Sequence, residues 1–516
     1  MKTVGHALTE GLRARGVEVV FGIPGVHTIE LYRGLSGSGI RHITPRHEQG
    51  AGFMADGYAR VSGKPGVAFV ITGPGLTNTL TAMAQARADS VPMLVISGVN
   101  RRGSLGQGLG LLHELPDQAA MVRALCPSFQ VTGPEVLERC LNLAFAAMLD
   151  SRPGPVHIEV PTDVMGMAAA AAGAPQEVVR AVPDVSGAVA ALNRAKRVVI
   201  LAGGGARGAN MRGLAQALDA PVVQTVNARG LMAGHALSVA ASPSLDAVRA
   251  LIAGADQVLA IGTEFGPTDY DMYVRGGLPD MAGMIRVDVC PLQLARHEAA
   301  VMVCGDAGAV VDALLAQVSV QIGDGTARAA ATMAATRAEV AGLSDEMPSQ
   351  IAVLEALRDA VPGAIVVGDS TQPVYAGNLL YDHHRAGGWF NAATGYGALG
   401  FAPGAAVGAA VAAPDARVFC LIGDGGLQFS PAELRVAVDE GLDVTYLVWN
   451  NAGYGEIAAA MRAANTEVIG CTPSPLGLAA FAAACGMPYA CVGPQPMAVA
   501  EAAALPGPRL VEIRVY

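Results

Sequence analysis

Two hydrophobic rhythms alternate along this chain. Short apolar runs at Val19–Gly22, Val67–Thr72 and Met93–Ser97 end in glycine, threonine or serine, and each precedes a loop or a segment with helical spacing of its apolar residues. That alternation predicts parallel βαβ units. It resumes at Val198–Gly205, and again at Ala364–Gly368, Val418–Gly423 and Val444–Trp449. Two weakly patterned stretches separate the three series. One is the alanine-rich Met165–Pro175; the other is Ser319–Pro348, expected to be a linker with a helical piece around Ala335–Val340. The expected architecture is α/β, with three doubly wound parallel-sheet domains spanning residues 1–165, 186–320 and 346–516.

Composition narrows the picture. With 516 residues, 52% of them hydrophobic and 15% charged, the chain can bury several cores and is far from disordered. A mean hydropathy of +0.39 raises the question of a membrane span. The longest apolar stretch, Phe401–Val411, is interrupted by Pro403, Gly404 and Gly408. It is shorter than the roughly 20 residues a bilayer requires, so it reads as a buried alanine-rich helix. A net charge of −10 and the lack of a Lys/Arg cluster argue against nucleic acid as partner. The opening MKTVGHALTEGLRARG lacks an apolar signal core, and the eight cysteines form no CxxC pair. A reducing, cytoplasmic location is the expectation.

The most specific signal is Gly423-Asp424-Gly425, followed after 24 intervening residues by Asn450-Asn451. Each turn alone is common. Here Asp424 ends one predicted strand and Asn451 follows the next, and a right-handed crossover brings both to one sheet edge. Ser430-Pro431-Ala432-Glu433 between them has the form of a capping box that starts the crossover helix. One carboxylate and one amide oxygen are too few for a complete cage. They suit a Mg²⁺ that takes its other oxygens from a phosphate, a backbone carbonyl and water.

The motif GDG-x24-NN resembles the thiamine-diphosphate signature, and nearly the whole chain is similar to the acetolactate synthase and 2-oxo acid decarboxylase group. That likeness implies that Asp424, Asn451 and the carbonyl of Gly453 hold Mg²⁺. It places Ser370, Thr371, Gln372, Gly425 and Gly426 along the diphosphate, with Tyr454 and Gly455 beside them. Glu48, in Arg46-His47-Glu48-Gln49-Gly50-Ala51, resembles the acid that such enzymes set against N1′ of the aminopyrimidine. It is expected between a short strand and a helix at Ala51–Arg60, although a glutamate at a helix start is more often there for the helix dipole. Leu399 resembles the apolar wedge between the two cofactor rings, and the Gly397 carbonyl the acceptor for N4′. In this family the domains that meet over one cofactor come from different subunits, which implies a homodimer or homotetramer.

The rival class is a dinucleotide enzyme, because Gly203-Gly204-Gly205-Ala206-Arg207-Gly208 fits GxGxxG after a strand. The acid expected about 20 residues later is missing, since Pro221-Val222-Val223-Gln224 leads into Thr225, Val226 and Asn227. The turn Asn227-Ala228-Arg229-Gly230 also lacks the element found in flavin-retaining relatives, so FAD is not the expected cofactor. At the substrate, Val26, His27 and His113 occupy places that face the reacting carbonyl in relatives, and a histidine there can hydrogen-bond a carboxylate or relay a proton. Glu456 stands where relatives mostly have a small or apolar residue. It invites a cationic substrate tail, or it opens the next helix and points to solvent. The chain as a whole is similar to 5-guanidino-2-oxopentanoate (2-ketoarginine) decarboxylases. The expected reaction is decarboxylation of a 2-oxo acid to an aldehyde, with acetolactate-type carboligation as the alternative.

Overall fold

Strands such as Val67–Val70 and Val418–Ile422 have apolar side chains facing both ways, so each needs cover on two sides. In the computed structural model, which describes residues 2–173, 183–281 and 283–516, helices supply that cover. Pro175, the end of the first expected linker, lies outside the described residues.

The strands form three six-stranded sheets in which every named pair runs parallel. The first contains β1 (Val19–Gly22), β2 (Arg41–Ile43), β3 (Gly66–Val70), β4 (Met93–Val99), β5 (Ser128–Gln130) and β6 (Pro155–Pro161). The second contains β7 (Val198–Ala202), β8 (Val222–Gln224), β9 (Ser238–Val239), β10 (Gln257–Ile261), β11 (Ile285–Asp288) and β12 (Val301–Cys304). The third contains β13 (Ile365–Gly368), β14 (Trp389–Asn391), β15 (Val418–Gly423), β16 (Val444–Asn450), β17 (Tyr489–Val492) and β18 (Arg509–Arg514).

The first and third sheets share one strand order, β2-β1-β3-β4-β6-β5 and β14-β13-β15-β16-β18-β17. In both, the chain reverses direction across the sheet beside the first strand. Crevices for ligands open at the carboxyl ends of strands flanking such a reversal, here β1 and β3 in one sheet and β13 and β15 in the other. The middle sheet runs β12-β11-β10-β7-β8-β9, the order of a dinucleotide-binding fold read from its far edge.

The first and third units are welded through two helices, Glu48–Ser62 and Phe401–Ala412. Their backbones cross so closely that only glycine fits at the contact. A Cβ on Gly57 would lie 2.0 Å from the carbonyl oxygen of Ala405, and one on Gly408 would lie 1.9 Å from that of Met54. The interrupted apolar stretch at Phe401–Val411 is thus a fully buried helix, and its glycines are contact points. Among the described residues no helix is long and apolar enough to cross a membrane.

Three local expectations need correction. The stretch Ser319–Pro348 is no weak linker, since it contains the long helix Gly325–Leu343, with Thr332, Thr336 and Val340 on its buried side. Its apolar face is mostly alanine and threonine, which carries little hydrophobic pattern. Glu48 is itself the first residue of its helix, capped by the ring of His47, which accepts from Gln49 N at 3.2 Å. Ser430 and Glu433 form no capping box: Pro431–Glu433 is a 3₁₀ turn, and both side chains are engaged elsewhere. Six cysteines are buried, as their apolar neighbours predict, whereas Cys304 and Cys491 are exposed.

Candidate active site

The predicted metal and phosphate residues gather at the carboxyl ends of β13, β15 and β16. Asp424 leaves β15 as the first residue of a single helical turn, Asp424–Leu427. It accepts the Asn451 N–H at 3.3 Å. Burial pushes its carboxyl up, against backbone N–H groups of Asn451, Gly425 and Gly453 that favour the anion. The Asn451 side chain reaches Gln372 Oε1 at 3.3 Å on one side. Its other amide atom lies 2.7 Å from the Gly453 carbonyl oxygen and 3.2 Å from Asp424 Oδ1.

Those distances have two chemical solutions. With nitrogen inward, the amide donates to both oxygens. With oxygen inward, three acceptors face one another and only a cation between them relieves the repulsion. Adjacent ligands of an octahedral Mg²⁺ at about 2.1 Å sit about 3 Å apart, close to both distances from the Asn451 amide atom. Asp424, Asn451 and Gly453 therefore fit a hard cation that takes its other ligands from a phosphate and water. Among the described residues no group of three His, Cys, Asp or Glu side chains forms a self-sufficient metal cage.

The space beside this triangle is kept open by small residues. A Cβ on Gly425 would lie 2.6 Å from the Tyr454 ring, one on Gly455 2.6 Å from Asn451 Nδ2, and one on Gly423 3.2 Å from Thr371 Oγ1. Gly453 adopts φ +153, a backbone state L-residues rarely adopt. Gln372 is fixed by Trp449 Nε1, which donates to its Oε1 at 3.2 Å. Ser370, Thr371 and Gln372 follow β13 directly, so the loop after that strand and the one after β15 face the same cradle.

Asp369 was missed by the sequence reading. Fully buried, it accepts from Ser370 N at 2.9 Å and from Ala402 N at 3.0 Å, capping the helix Phe401–Ala412 from 33 positions away. Its carboxyl is pushed up to about 6 by burial, opposed by those N–H donors. The available signal was an acid at the end of β13 just before two hydroxyl residues; its partners in the chain gave no sign.

A second cluster forms at the reversal point of the first sheet. His27, after β1, and His113 meet edge to face with ring centres 5.4 Å apart. His27 Nδ1 lies 2.9 Å from Thr72 Oγ1, after β3. Burial, and then the neighbouring His113, holds the His27 ring below the ordinary histidine range. His113 itself sits at φ +62, and a Cβ on Gly73 would lie 2.5 Å from its carbonyl oxygen. Val26 is 63% exposed at the mouth of this cluster.

Glu48 belongs to the first unit but to neither cluster's hydrogen bonds. Its Oε2 accepts from Asn78 Nδ2 at 3.0 Å and its backbone oxygen from Thr79 Oγ1 at 3.4 Å, both on the helix Pro74–Ala88. Leu399 is half-buried in a cavity of about 300 Å³ that it shares with His47, Gly50, Phe53 and Glu433. Gly397, at φ +73, is exposed beside it. Glu456 is exposed in the first turn of the helix Gly455–Ala463, near enough to Tyr375 to raise that phenol's proton affinity. The glycine run at Gly203–Gly208 contains a 3₁₀ turn, Gly204–Ala206, ahead of the short helix Met211–Leu218, and lines a separate cavity of about 550 Å³ with Asn227 and Asp269.

Two sheets of like topology thus each gather polar groups near a reversal point: His27, Thr72 and His113 in the first unit, which also carries the Glu48 helix after β2, and the Asp424, Asn451 and Gly453 oxygens beside small residues in the third. That is the layout of an enzyme that binds a diphosphate cofactor between paired α/β units. The sequence comparisons specify which: the N-terminal binding domain of thiamine pyrophosphate enzymes matches residues 2–121, their central domain residues 185–314, and their C-terminal binding domain residues 369–513. A probable 2-ketoarginine decarboxylase of Pseudomonas aeruginosa is 42% identical over 97% of this chain and 90% of its own length. The large subunit of Escherichia coli acetolactate synthase isozyme 1 is 32% identical over 86% of this chain and 81% of its own. An acetolactate synthase of Mycobacterium bovis is 30% identical over 88% and 77%. The chain belongs to the thiamine pyrophosphate enzyme family.

Proposed function

We propose that this protein decarboxylates a 2-oxo acid to an aldehyde and CO₂, and that the acid has a basic tail such as the guanidinium of 5-guanidino-2-oxopentanoate. The observation that carries the chemistry is the oxygen triangle of Asp424, Asn451 and Gly453 at the switch point of the third sheet. The substrate class draws support from the P. aeruginosa relative and from Glu456, an acid in the first turn of a helix bordering that site.

In this reading Asp424, Asn451 and Gly453 hold Mg²⁺, while Ser370, Thr371, Gln372, Gly425 and Gly426 line the diphosphate, with Tyr454 and Gly455 shaping its pocket. Bound thiamine diphosphate would supply the electron sink that decarboxylation next to a carbonyl requires. With the cofactor bound, Glu48 would exchange a proton at N1′ of the aminopyrimidine, the Gly397 carbonyl would accept the N4′ hydrogen, and Leu399 would pack against the rings. His27, held beside Thr72, and His113, packed against it, face the reacting carbonyl past Val26 and deliver a proton to the product. Glu456 selects the cationic tail.

Glu48 and the cation triangle lie on different units of the chain, so the reading includes a homodimer or homotetramer in which one subunit's residues 1–165 complete the site of another's residues 346–516. It also places the enzyme in the cytoplasm. The deciding experiment is a screen of 2-oxo acids for CO₂ release by protein loaded with thiamine diphosphate and Mg²⁺, with products identified. A preference for guanidino or amino 2-oxo acids and an aldehyde product is the expected result. Acetolactate from pyruvate as the main product would replace this reading with the carboligase one.

A further inference from the structure

Glu433 has no part in the cofactor cradle, yet it is the most unusual acid near it. It is 1% exposed, and burial pushes its carboxyl up to about 7 despite backbone donors that favour the anion. Both its oxygens accept the Arg46 N–H, at 3.2 and 3.1 Å, so the C-terminal unit grips the backbone two residues ahead of Glu48. The carboxylate also fills the space over Gly50, where a Cβ would lie 2.3 Å from Oε1 and 2.4 Å from Cδ. Gly50 is thus the one gap in the first turn of the Glu48 helix through which the carboxylate enters. The same 3₁₀ turn is anchored at its other end by Ser430, whose hydroxyl donates to the Gly400 carbonyl at 2.7 Å, next to Leu399.

From these contacts we infer that Glu433 is a positioning residue for Glu48: it clamps the start of the Glu48 helix from beneath and sets where that carboxylate stands. Glu48 is held by Asn78 and Thr79 from the helix Pro74–Ala88 on one flank and by Glu433 through the backbone on the other. Removing the second hold lets the helix start shift, and a displacement of about 1 Å at a reacting group costs about a hundredfold in rate. The inference rests on the role proposed above for Glu48.

The test uses the full-length enzyme with thiamine diphosphate and Mg²⁺. Glu433→Gln keeps the shape but replaces one of the two oxygens that share the Arg46 N–H with an NH₂ that cannot accept it. It should lower kcat about ten- to a hundredfold and slow exchange of the cofactor C2 proton, followed by NMR, to a similar degree. KM for the 2-oxo acid and the calorimetric Kd for thiamine diphosphate should stay within about threefold, because neither contact is touched. Gly50→Ala pushes on the same contact from the other side and should reproduce the split, giving a second route if the Gln variant folds poorly. C2 exchange within twofold of wild type in a folded Glu433→Gln variant overturns the inference, as does a parallel loss of kcat and cofactor affinity. Glu48→Gln, measured alongside, separates the two levels: if it leaves C2 exchange intact, the role of Glu48 is wrong. If it abolishes exchange while both clamp variants do not, only the clamp is wrong.

Discussion

At the scale of single residues, the site is a set of groups that only a bound cofactor would bring into use. Asp424, half of an acceptor pair with Asn451, has no cationic side chain paired with it among the described residues. Asp424→Ala should therefore weaken thiamine diphosphate binding in saturating Mg²⁺ by about a hundredfold or more, given that losing even an outer partner of a metal ligand costs 10–100-fold; unchanged affinity by calorimetry would remove the triangle from metal binding. Glu48→Gln keeps the hydrogen bond to Asn78 but cannot exchange a proton, so turnover should fall by about 10²–10⁴-fold with the cofactor still bound. Glu456→Leu tests specificity. The ratio of kcat/KM for 5-guanidino-2-oxopentanoate to that for 2-oxohexanoate should fall at least about thirtyfold if the carboxylate pairs with the guanidinium in a closed site. A ratio that does not move leaves Glu456 as a solvent-facing helix residue.

Elements carry these residues, and the element that matters most is the Glu48 helix. Its glycines are spaced for contact, Gly52 against Ala82 and Gly57 against Ala405, and Gly408 of the crossing helix Phe401–Ala412 meets Met54 in return. Because backbone atoms cannot retreat as a flexible side chain can, Gly57→Ala or Gly408→Ala should force the two helices apart. The expected cost is about 1–3 kcal/mol or more, read as a fall in Tm, whereas Gly103→Ala, with open space around its Cβ position, should leave Tm unchanged. The crossing also explains why the apolar stretch at Phe401–Val411 looks like a failed membrane span in sequence. Gly404 and Gly408 are where the Glu48 helix passes.

At the scale of the whole molecule, Glu48 follows β2 in the first unit, whereas the Asp424, Asn451 and Gly453 oxygens stand at the carboxyl ends of β15 and β16 in the third. If one cofactor is held between subunits, two inactive variants should complement. Random mixing of Glu48→Gln and Asp424→Ala chains yields half heterodimers, each with one intact site of two, so activity should recover to about a quarter of wild type. No recovery after subunit exchange, verified by mass, would place the complete site within one chain.

The amino-acid sequence by itself determined the α/β class and the position of the cradle. Buried parallel strands need continuous apolar runs, and local pattern and spacing were enough to put Asp424 and Asn451 at the ends of adjacent strands of one sheet; the loop from Ser370 was reached through the family resemblance. Tertiary structure alone decided everything that depends on segments far apart in the chain. Ser430 and Glu433 look like a capping box in sequence, but the pull of Arg46 and Gly400 took both side chains for contacts between units. Asp369 caps a helix beyond any local signal. The helix Gly325–Leu343 hid because alanine and threonine pack well while showing little hydrophobic contrast. Local chemistry is written in neighbouring residues; the partners that hold it in place are chosen only when the sheets come together.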